Sequence, residues 1–135
     1  MSTMNKYRIM VVDDDQFIVA ILENYLKQYY EVICKSNAIE AMGWLEEGNE
    51  IHLIVADINM PEMDGIEFLE QLRSSGFFRN IPFLILSGNK DTGEKIKCLK
   101  AGADDYIVKP FNPEEVYVRI ENILRRIGVT AKYSI

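Results

Sequence analysis

The chain has 135 residues, of which 48% are hydrophobic and 27% charged, and its formal net charge is −6. The length suits a single domain, with a core at about residues 7–126 and a short tail at 128–135. The acidic balance argues against direct nucleic-acid binding by this domain. No apolar run approaches the ~20 residues that cross a membrane, and the polar N-terminus does not resemble a signal peptide, so we expect a cytoplasmic protein. Two cysteines, Cys34 and Cys98, are too few for a disulfide scaffold, which favours buried free thiols.

Five short apolar runs alternate along the chain with five segments of helical periodicity. In chain order the runs lie at residues 7–12, 32–35, 52–56, 83–86 and 106–108. The segments with apolar residues at three- and four-residue spacing lie near 18–29, 37–48, 65–75, 92–100 and 113–126. Asn37 and Asn112 are candidate N-caps, Pro113 suits a first helical position, and Gly102 suits the position just after a helix.

This strict alternation predicts an α/β fold: a five-stranded parallel sheet, doubly wound as (βα)5, in a flavodoxin-like three-layer sandwich. The runs at 53–56 and 83–86 are continuously apolar, as expected for strands that are covered on both faces. The fourth predicted helix carries Ile96 and Leu99 as its apolar residues. In such folds ligands bind outside the carboxyl ends of the strands, so the residues that follow each strand are the informative ones.

Polar side chains follow four of the five predicted strands. They are Asp13, Asp14 and Asp15 after the first, Asp57 after the third, Ser87 after the fourth and Lys109 after the fifth. Clustered carboxylates repel one another unless a cation is present, and oxygen ligands near a phosphoryl group suit Mg²⁺. A carboxylate can also act as a nucleophile and form an aspartyl-phosphate, with Ser87 and Lys109 left to contact the phosphoryl oxygens.

Each residue has a simpler explanation when it is taken alone. Asp15 could only cap the first helix, Asp57 could belong to a turn, and Lys109 could be a solvated surface lysine. Four strand ends with mutually compatible phosphoryl-transfer groups are difficult to obtain by chance. We therefore favour the joint interpretation.

The chain resembles the receiver domains of two-component response regulators over about residues 7–126. The resemblance rests on Val11-Val12-Asp13-Asp14, the segment from Asp57 to Gly65 (DINMPEMDG), Leu86-Ser87-Gly88, the segment from Ala101 to Tyr106 (AGADDY), and Lys109-Pro110-Phe111. It implies a signalling switch that takes a phosphoryl group from a histidine kinase or a histidine phosphotransfer protein. Such a domain catalyses its own phosphorylation and dephosphorylation, although it is primarily a switch and not an enzyme of substrate turnover.

The resemblance also assigns a phosphoacceptor and a metal site. Asp57 is implied as the phosphoacceptor. Asp13 and Asp14 are implied to hold Mg²⁺ together with Asp57 and the backbone carbonyl of Asn59.

Further roles follow from the same resemblance. Ser87 would contact the phosphoryl group and Lys109 would pair with it. Ser87 and Tyr106 would form a conformational switch, in which Tyr106 packs inside when Ser87 turns towards the phosphoryl group. The Lys109–Pro110 bond is implied to be cis, and Gly65 is implied to lie in a turn.

The fourth helix, fifth strand and fifth helix carry many charges. They resemble the face through which receivers of the winged-helix transcription-factor class form symmetric homodimers. The candidate dimer residues are Lys95, Asp105, Glu115, Arg119 and Arg126. Lys100 and Glu121 depart from that class, which more often has an acidic and a basic residue at these positions. The alternative is a solvated surface of mixed charge.

Three other functions are each disfavoured by particular residues of the sequence. A receiver-like adaptor would work without phosphorylation, but such adaptors tend to lose one of the residues that are intact here. An aspartate-nucleophile phosphatase of the haloacid dehalogenase type needs an acid two residues after the nucleophile, where this chain has Asn59. A flavodoxin-like flavin site would require a phosphate-binding loop after the first strand, where three aspartates would repel phosphate.

Overall fold

The computed structural model describes residues 7–128, in which five strands alternate with five helices. In chain order they are β1 (Arg8–Val12), α1 (Gln16–Leu26), β2 (Glu31–Lys35), α2 (Ala38–Glu46), β3 (Leu53–Asp57), α3 (Gly65–Ser74), β4 (Phe83–Ser87), α4 (Thr92–Ala101), β5 (Asp105–Val108) and α5 (Pro113–Arg126). The predicted tail lies, apart from Gly128, outside the described residues. Among the described helices, none combines the length and apolar character that a membrane span requires.

All strand pairs are parallel, and the sheet order is β2-β1-β3-β4-β5. The predicted flavodoxin-like (βα)5 fold is therefore confirmed. The strand order reverses at β1, whose neighbours are β2 and β3. Because ligands in open α/β sheets bind where the order reverses, the carboxyl ends of β1 and β3 are the favoured place for a site.

Successive side chains of each strand point to opposite faces of the sheet, and each face has its own core. One core contains Met10, Ile54 and Ile85 and packs against helices α2, α3 and α4. The other contains Val11, Val55 and other strand residues and packs against α1 and α5. The middle strands β3 and β4 are buried along their whole length, as their apolar sequences predicted.

Side-chain caps define where the helices begin. Asp15 accepts hydrogen bonds from the first backbone amides of α1, and Asn37 and Asn112 cap α2 and α5 as predicted. Helix α3 begins with a capping box that the sequence analysis did not identify: Asp64 accepts from the Glu67 amide at 2.8 Å, and the Glu67 carboxylate accepts from the Asp64 amide at 3.0 Å.

The apolar residues of α4 and the two cysteines differ in how deeply they are buried. The face of α4 that meets the sheet carries Cys98, whereas Ile96 and Leu99 remain 46% and 43% exposed. Periodicity alone does not show which of the two weakly apolar faces of α4 packs against the sheet. Cys98 is a buried free thiol as expected, but Cys34 is only half-buried. Burial raises the pKa of both thiols to about 11, so neither is a reactive thiolate.

Candidate functional site

The register of the sheet brings two acidic strand ends together. Val12 of β1 lies opposite Ala56 of β3. The next residue of each chain segment is an aspartate, so Asp13 and Asp57 are neighbours across the reversal point of the sheet. Both are buried, with exposures of 1% and 5%. The sequence predicted this juxtaposition from the ends of its apolar runs.

The same register extends the site across β4 and β5. Asp57 pairs with Leu86, and Ser87 pairs with Val108, so that Ser87 and Lys109 follow in order along the edge of the sheet. The four predicted strand ends therefore meet at one edge. Since residues paired across neighbouring strands point to the same face, the register also places the Asp57 and Ser87 side chains on opposite faces of the sheet.

Side-chain alternation divides the predicted site residues between the two faces. Asp57 continues the β3 series that faces α1 and α5, and its partners Asp13 and Lys109 continue the corresponding series of β1 and β5. Ser87 continues the β4 series that faces α3 and α4, where the Tyr106 ring is also buried. The edge therefore holds an acidic cluster with a lysine on one side and a pair of hydroxyls on the other.

Three carboxylates form the acidic cluster. Asp13, Asp14 and Asp57 each offer an oxygen, and these atoms all lie within 4.8 Å of one another. Burial raises the pKa of Asp13, and the charge of Asp57 adds to this effect, against the lowering influence of a hydrogen bond from the Asp15 amide and of Lys109. The ionised cluster is therefore costly to keep in the fold unless a cation is nearby.

Lys109 supplies part of the required positive charge. Its Nζ donates to Oδ1 of Asp57 at 3.0 Å and to Oδ2 of Asp13 at 3.5 Å. Burial lowers the pKa of Lys109, but the hydrogen bond to Asp57 and the two negative charges outweigh burial, so the net pKa is raised. The ammonium therefore remains charged, and one ammonium facing three carboxylates leaves the cluster with a formal charge of −2.

The remaining predicted residues frame this cluster. Asn59 is exposed in the loop after β3, and the Lys109–Pro110 peptide bond is cis. Gly65 is the first residue of α3 and not a turn residue, which corrects the expectation from the resemblance. A Cβ at Gly65 would overlap the backbone oxygen of Asp57 and lie 2.9 Å from the Cα of Ile58, so the close approach of α3 to the end of β3 requires glycine here.

The hydroxyls on the other side of the edge meet a carboxylate that the sequence analysis missed. Ser87 Oγ donates to Oε1 of Glu94 at 2.7 Å, and the Tyr106 hydroxyl lies 2.8 Å from the same oxygen. Tyr106 is 5% exposed, and its hydroxyl also lies 2.8 Å from the backbone oxygen of Asn89. The only sequence signal for Glu94 is its place in the first turn of the helix that follows Ser87.

The candidate dimer residues form a partly paired surface. Arg119 binds Asp105 at 2.8 Å and Glu115 at 3.3 Å within the same chain. Lys95 and Arg126 are exposed and have no ion pair within residues 7–128. Glu121, which departs from the expected charge pattern, accepts a hydrogen bond from the hydroxyl of the buried Tyr30.

The family to which these features point is shown by comparison with known proteins. The family model described as the response regulator receiver domain matches residues 9–121. The alkaline phosphatase synthesis transcriptional regulatory protein PhoP of Bacillus subtilis is 41% identical over 132 residues, which cover 97% of this chain and 53% of that protein. The transcriptional regulatory protein AruR of Pseudomonas aeruginosa is 36% identical over 125 residues, which cover 89% of this chain and 50% of that protein.

Relatives of known structure share this fold. A crystal structure described as a putative response regulator from Chloroflexus aurantiacus superposes with a TM-score of 0.84 at 31% sequence identity, covering 90% of this chain and 99% of that chain. The chain spans about half the length of the curated relatives it matches. With the family match, the sequence identity and the shared fold in agreement, this chain belongs to the response regulator receiver domain family of two-component signal transduction.

Proposed function

We propose that this domain is a Mg²⁺-dependent phosphoacceptor switch in which Asp57 receives the phosphoryl group. The observation that carries the proposal is the position of Asp57: it is buried at the reversal point of the sheet, bound to Lys109 at 3.0 Å, and flanked by two further carboxylates. A turn aspartate with only a structural role does not need this surrounding. A nucleophile that accepts a doubly charged phosphoryl group needs a cation beside it and ligands for a metal ion.

The donor set fits Mg²⁺. Asp13, Asp14 and Asp57 converge to within 4.8 Å, and carboxylate oxygens are the ligands this ion prefers. The net negative charge that remains after pairing with Lys109 favours a divalent cation. Asn59 would add its backbone carbonyl. When bound, the ion would neutralise charge on the transferring phosphoryl oxygens.

The transfer itself is a displacement at phosphorus. One carboxylate oxygen of Asp57 forms the new O–P bond while the bond from phosphorus to the donor's imidazole nitrogen breaks, and the electron pair stays on that nitrogen. Lys109 already lies beside the carboxylate, so a small movement of its Nζ brings the ammonium to a phosphoryl oxygen. Receiver domains of this family take the group from histidine kinases, and we propose a histidine kinase or a histidine phosphotransfer protein in the cytoplasm as the donor.

The readout is proposed to pass through Ser87 and Tyr106 to the face formed by α4, β5 and α5. Ser87 belongs to the edge that holds Asp57, and Tyr106 belongs to β5, so the two residues connect the phosphorylated edge with that face. The unpaired cations Lys95 and Arg126 on this face favour a symmetric homodimer as its output. Because neither side chain has an ion pair among residues 7–128, both are available to pair across a two-fold axis.

A small phosphodonor such as acetyl phosphate, added with and without Mg²⁺, tests the chemistry by intact mass. We expect a gain of one phosphoryl group only with Mg²⁺, and no gain in Asp57→Asn. Asp15→Asn is the matched control, since it makes the same substitution beside the site while an asparagine still caps α1. If wild type gains no mass with Mg²⁺, the result contradicts the switch proposal and favours the adaptor function without phosphorylation.

A further inference from the structure

The carboxylate of Glu94 lies at the centre of the hydroxyl network on the α4 side of the site. Its Oε1 accepts from Ser87 Oγ at 2.7 Å and lies within hydrogen-bond distance of the Tyr106 hydroxyl at 2.8 Å. Ser87 in turn accepts from the Asn89 amide at 3.0 Å. The network runs from a backbone amide through the Ser87 hydroxyl to an anion.

Among the described residues, the Glu94 carboxylate is bound by hydroxyl groups and not by a cation. Within residues 7–128, no lysine or arginine forms an ion pair with Glu94, although α4 is rich in lysine. Glu94 is half-buried, and the Ser87 side chain beside it is fully buried. A carboxylate in such a place is stabilised mainly by its hydrogen-bond donors, and hydrogen bonds to a charged acceptor are the stronger ones.

A serine hydroxyl has one proton to donate. In the structure that proton is directed to Glu94. A phosphoryl group on Asp57 would require the same proton, because Asp57 pairs with Leu86 and Ser87 is the next residue of that strand. Both acceptors are anionic, and they cannot be satisfied together.

We propose that Glu94 is a positioning residue that competes with the phosphoryl group for the Ser87 hydroxyl and so sets how strongly the domain favours its phosphorylated form. This inference rests on the proposed function and adds to it. The Tyr106 hydroxyl is the donor that remains on Glu94 when Ser87 leaves, so the same carboxylate also links release of Ser87 to retention of Tyr106 inside the fold. Glu94 thereby couples the two switch residues through a shared oxygen.

Beryllofluoride, a mimic of an aspartate-bound phosphoryl group, provides the test. Its affinity in saturating Mg²⁺ is measured by calorimetry. Glu94→Gln keeps the shape of the side chain but gives a weaker, neutral acceptor, so we expect about fivefold tighter binding. Glu70→Gln removes the same charge from an exposed position of α3, whereas the carboxylate that Ser87 and Tyr106 contact is that of Glu94, so this variant is expected to bind as wild type does.

A double-mutant cycle separates competition for the proton from simple repulsion between two anions. If Glu94 acts through Ser87, Glu94→Gln has no effect on binding in a Ser87→Ala background. Glu94→Asp, which keeps the charge but is one methylene shorter, should also bind beryllofluoride more tightly than wild type. Thermal unfolding checks that each variant is folded.

The outcomes are distinguishable. Equal binding by Glu94→Gln and wild type overturns the inference, as does an effect of the same size in the Ser87→Ala background. Wild type that neither binds beryllofluoride nor gains a phosphoryl group in the mass experiment overturns the proposed function itself.

Discussion

At the scale of single residues, the site is a group of charged side chains whose burial lowers the stability of the fold. Asp13 is almost completely buried, and its pKa is raised by burial and by the neighbouring charge of Asp57. The fold therefore binds a proton at Asp13 more tightly than the unfolded chain does. Lys109 offsets part of this cost by binding both carboxylates. The remaining negative charge lowers the stability of the fold, and it forms a site that suits a cation.

The first prediction concerns Asp13 and the pH dependence of stability. Because the pKa of Asp13 is raised on folding, its ionised form destabilises the native state, and this effect grows as the pH rises through the unfolded value of 3.8. Asp13→Asn should therefore increase the free energy of unfolding at neutral pH by on the order of 1 kcal/mol. Urea unfolding at a series of pH values checks this, and the advantage should disappear as the pH falls below 3.8.

Mg²⁺ provides the complementary measurement. A ligand that binds only the folded state raises its stability, so Mg²⁺ should stabilise wild type and should stabilise Asp13→Asn less. A stability advantage of Asp13→Asn that persists at low pH would contradict the raised pKa of Asp13. An equal response of both proteins to Mg²⁺ would contradict the assignment of Asp13 to the cation site.

At the scale of secondary-structure elements, the site depends on how closely helices approach the strand ends. Helix α3 begins directly beside the end of β3, where the Gly65 amide donates to the backbone oxygen of Ile58 at 2.8 Å. The capping box of Asp64 and Glu67 starts the helix at this place. Helix α4 begins after Asp91, which places Glu94 over Ser87. The start of each helix therefore determines which groups reach the site.

Gly65→Ala tests the close approach of α3 to β3. The added Cβ would overlap backbone atoms of Asp57 and Ile58, which cannot move as a flexible side chain can. We expect a loss of about 1–3 kcal/mol in the free energy of unfolding, the usual cost of overpacking a tight contact. The measurement is the midpoint of urea unfolding.

Gly43→Ala is the matched control for that substitution. Gly43 lies within α2, and a Cβ there would meet nothing within 4 Å. Alanine is the better helix former, so this variant should gain roughly 0.5–1 kcal/mol. A Gly65→Ala variant as stable as Gly43→Ala would show that the backbone at the end of β3 adapts without cost.

At the scale of the whole molecule, the sheet connects the acidic edge with a charged outer surface. Arg119 of α5 is held by Asp105 of β5, so strand and helix form one unit on this side of the domain. Asp104, just before β5, accepts from the Phe83 amide at 2.8 Å and also binds Arg73, which makes it a structural residue. Lys95 of α4 and Arg126 of α5 are exposed, and we assign both to a dimer.

The dimer prediction follows from the two-fold symmetry of such an interface. Phosphorylation or beryllofluoride should convert wild type from monomer to dimer in sedimentation velocity. Arg126→Glu reverses one charge in each of two copies, so the dissociation constant should rise about tenfold. Arg79→Glu makes the same charge change in the loop before β4, away from this face, and should dimerise as wild type does. Fully phosphorylated wild type that stays monomeric at all concentrations would contradict this prediction.

The sequence by itself determined the fold and the composition of the site. Strand ends in a parallel sheet meet at one edge, so the apolar runs alone predicted that Asp13, Asp57, Ser87 and Lys109 would lie there. The N-caps Asn37 and Asn112 were also readable, because a cap is a local interaction between residues close in the chain.

Only the tertiary structure decided the partners of those residues. That Lys109 binds Asp57 depends on the register of two strands distant in sequence, and that Gly65 is required depends on the backbone of β3. Glu94 could not be found from its position, since an acidic residue in the first turn of a helix is favoured there by the helix dipole alone. Its contact with Ser87 arises because α4 crosses the edge of the sheet at that point, and such a crossing is set by packing between distant segments and not by local sequence.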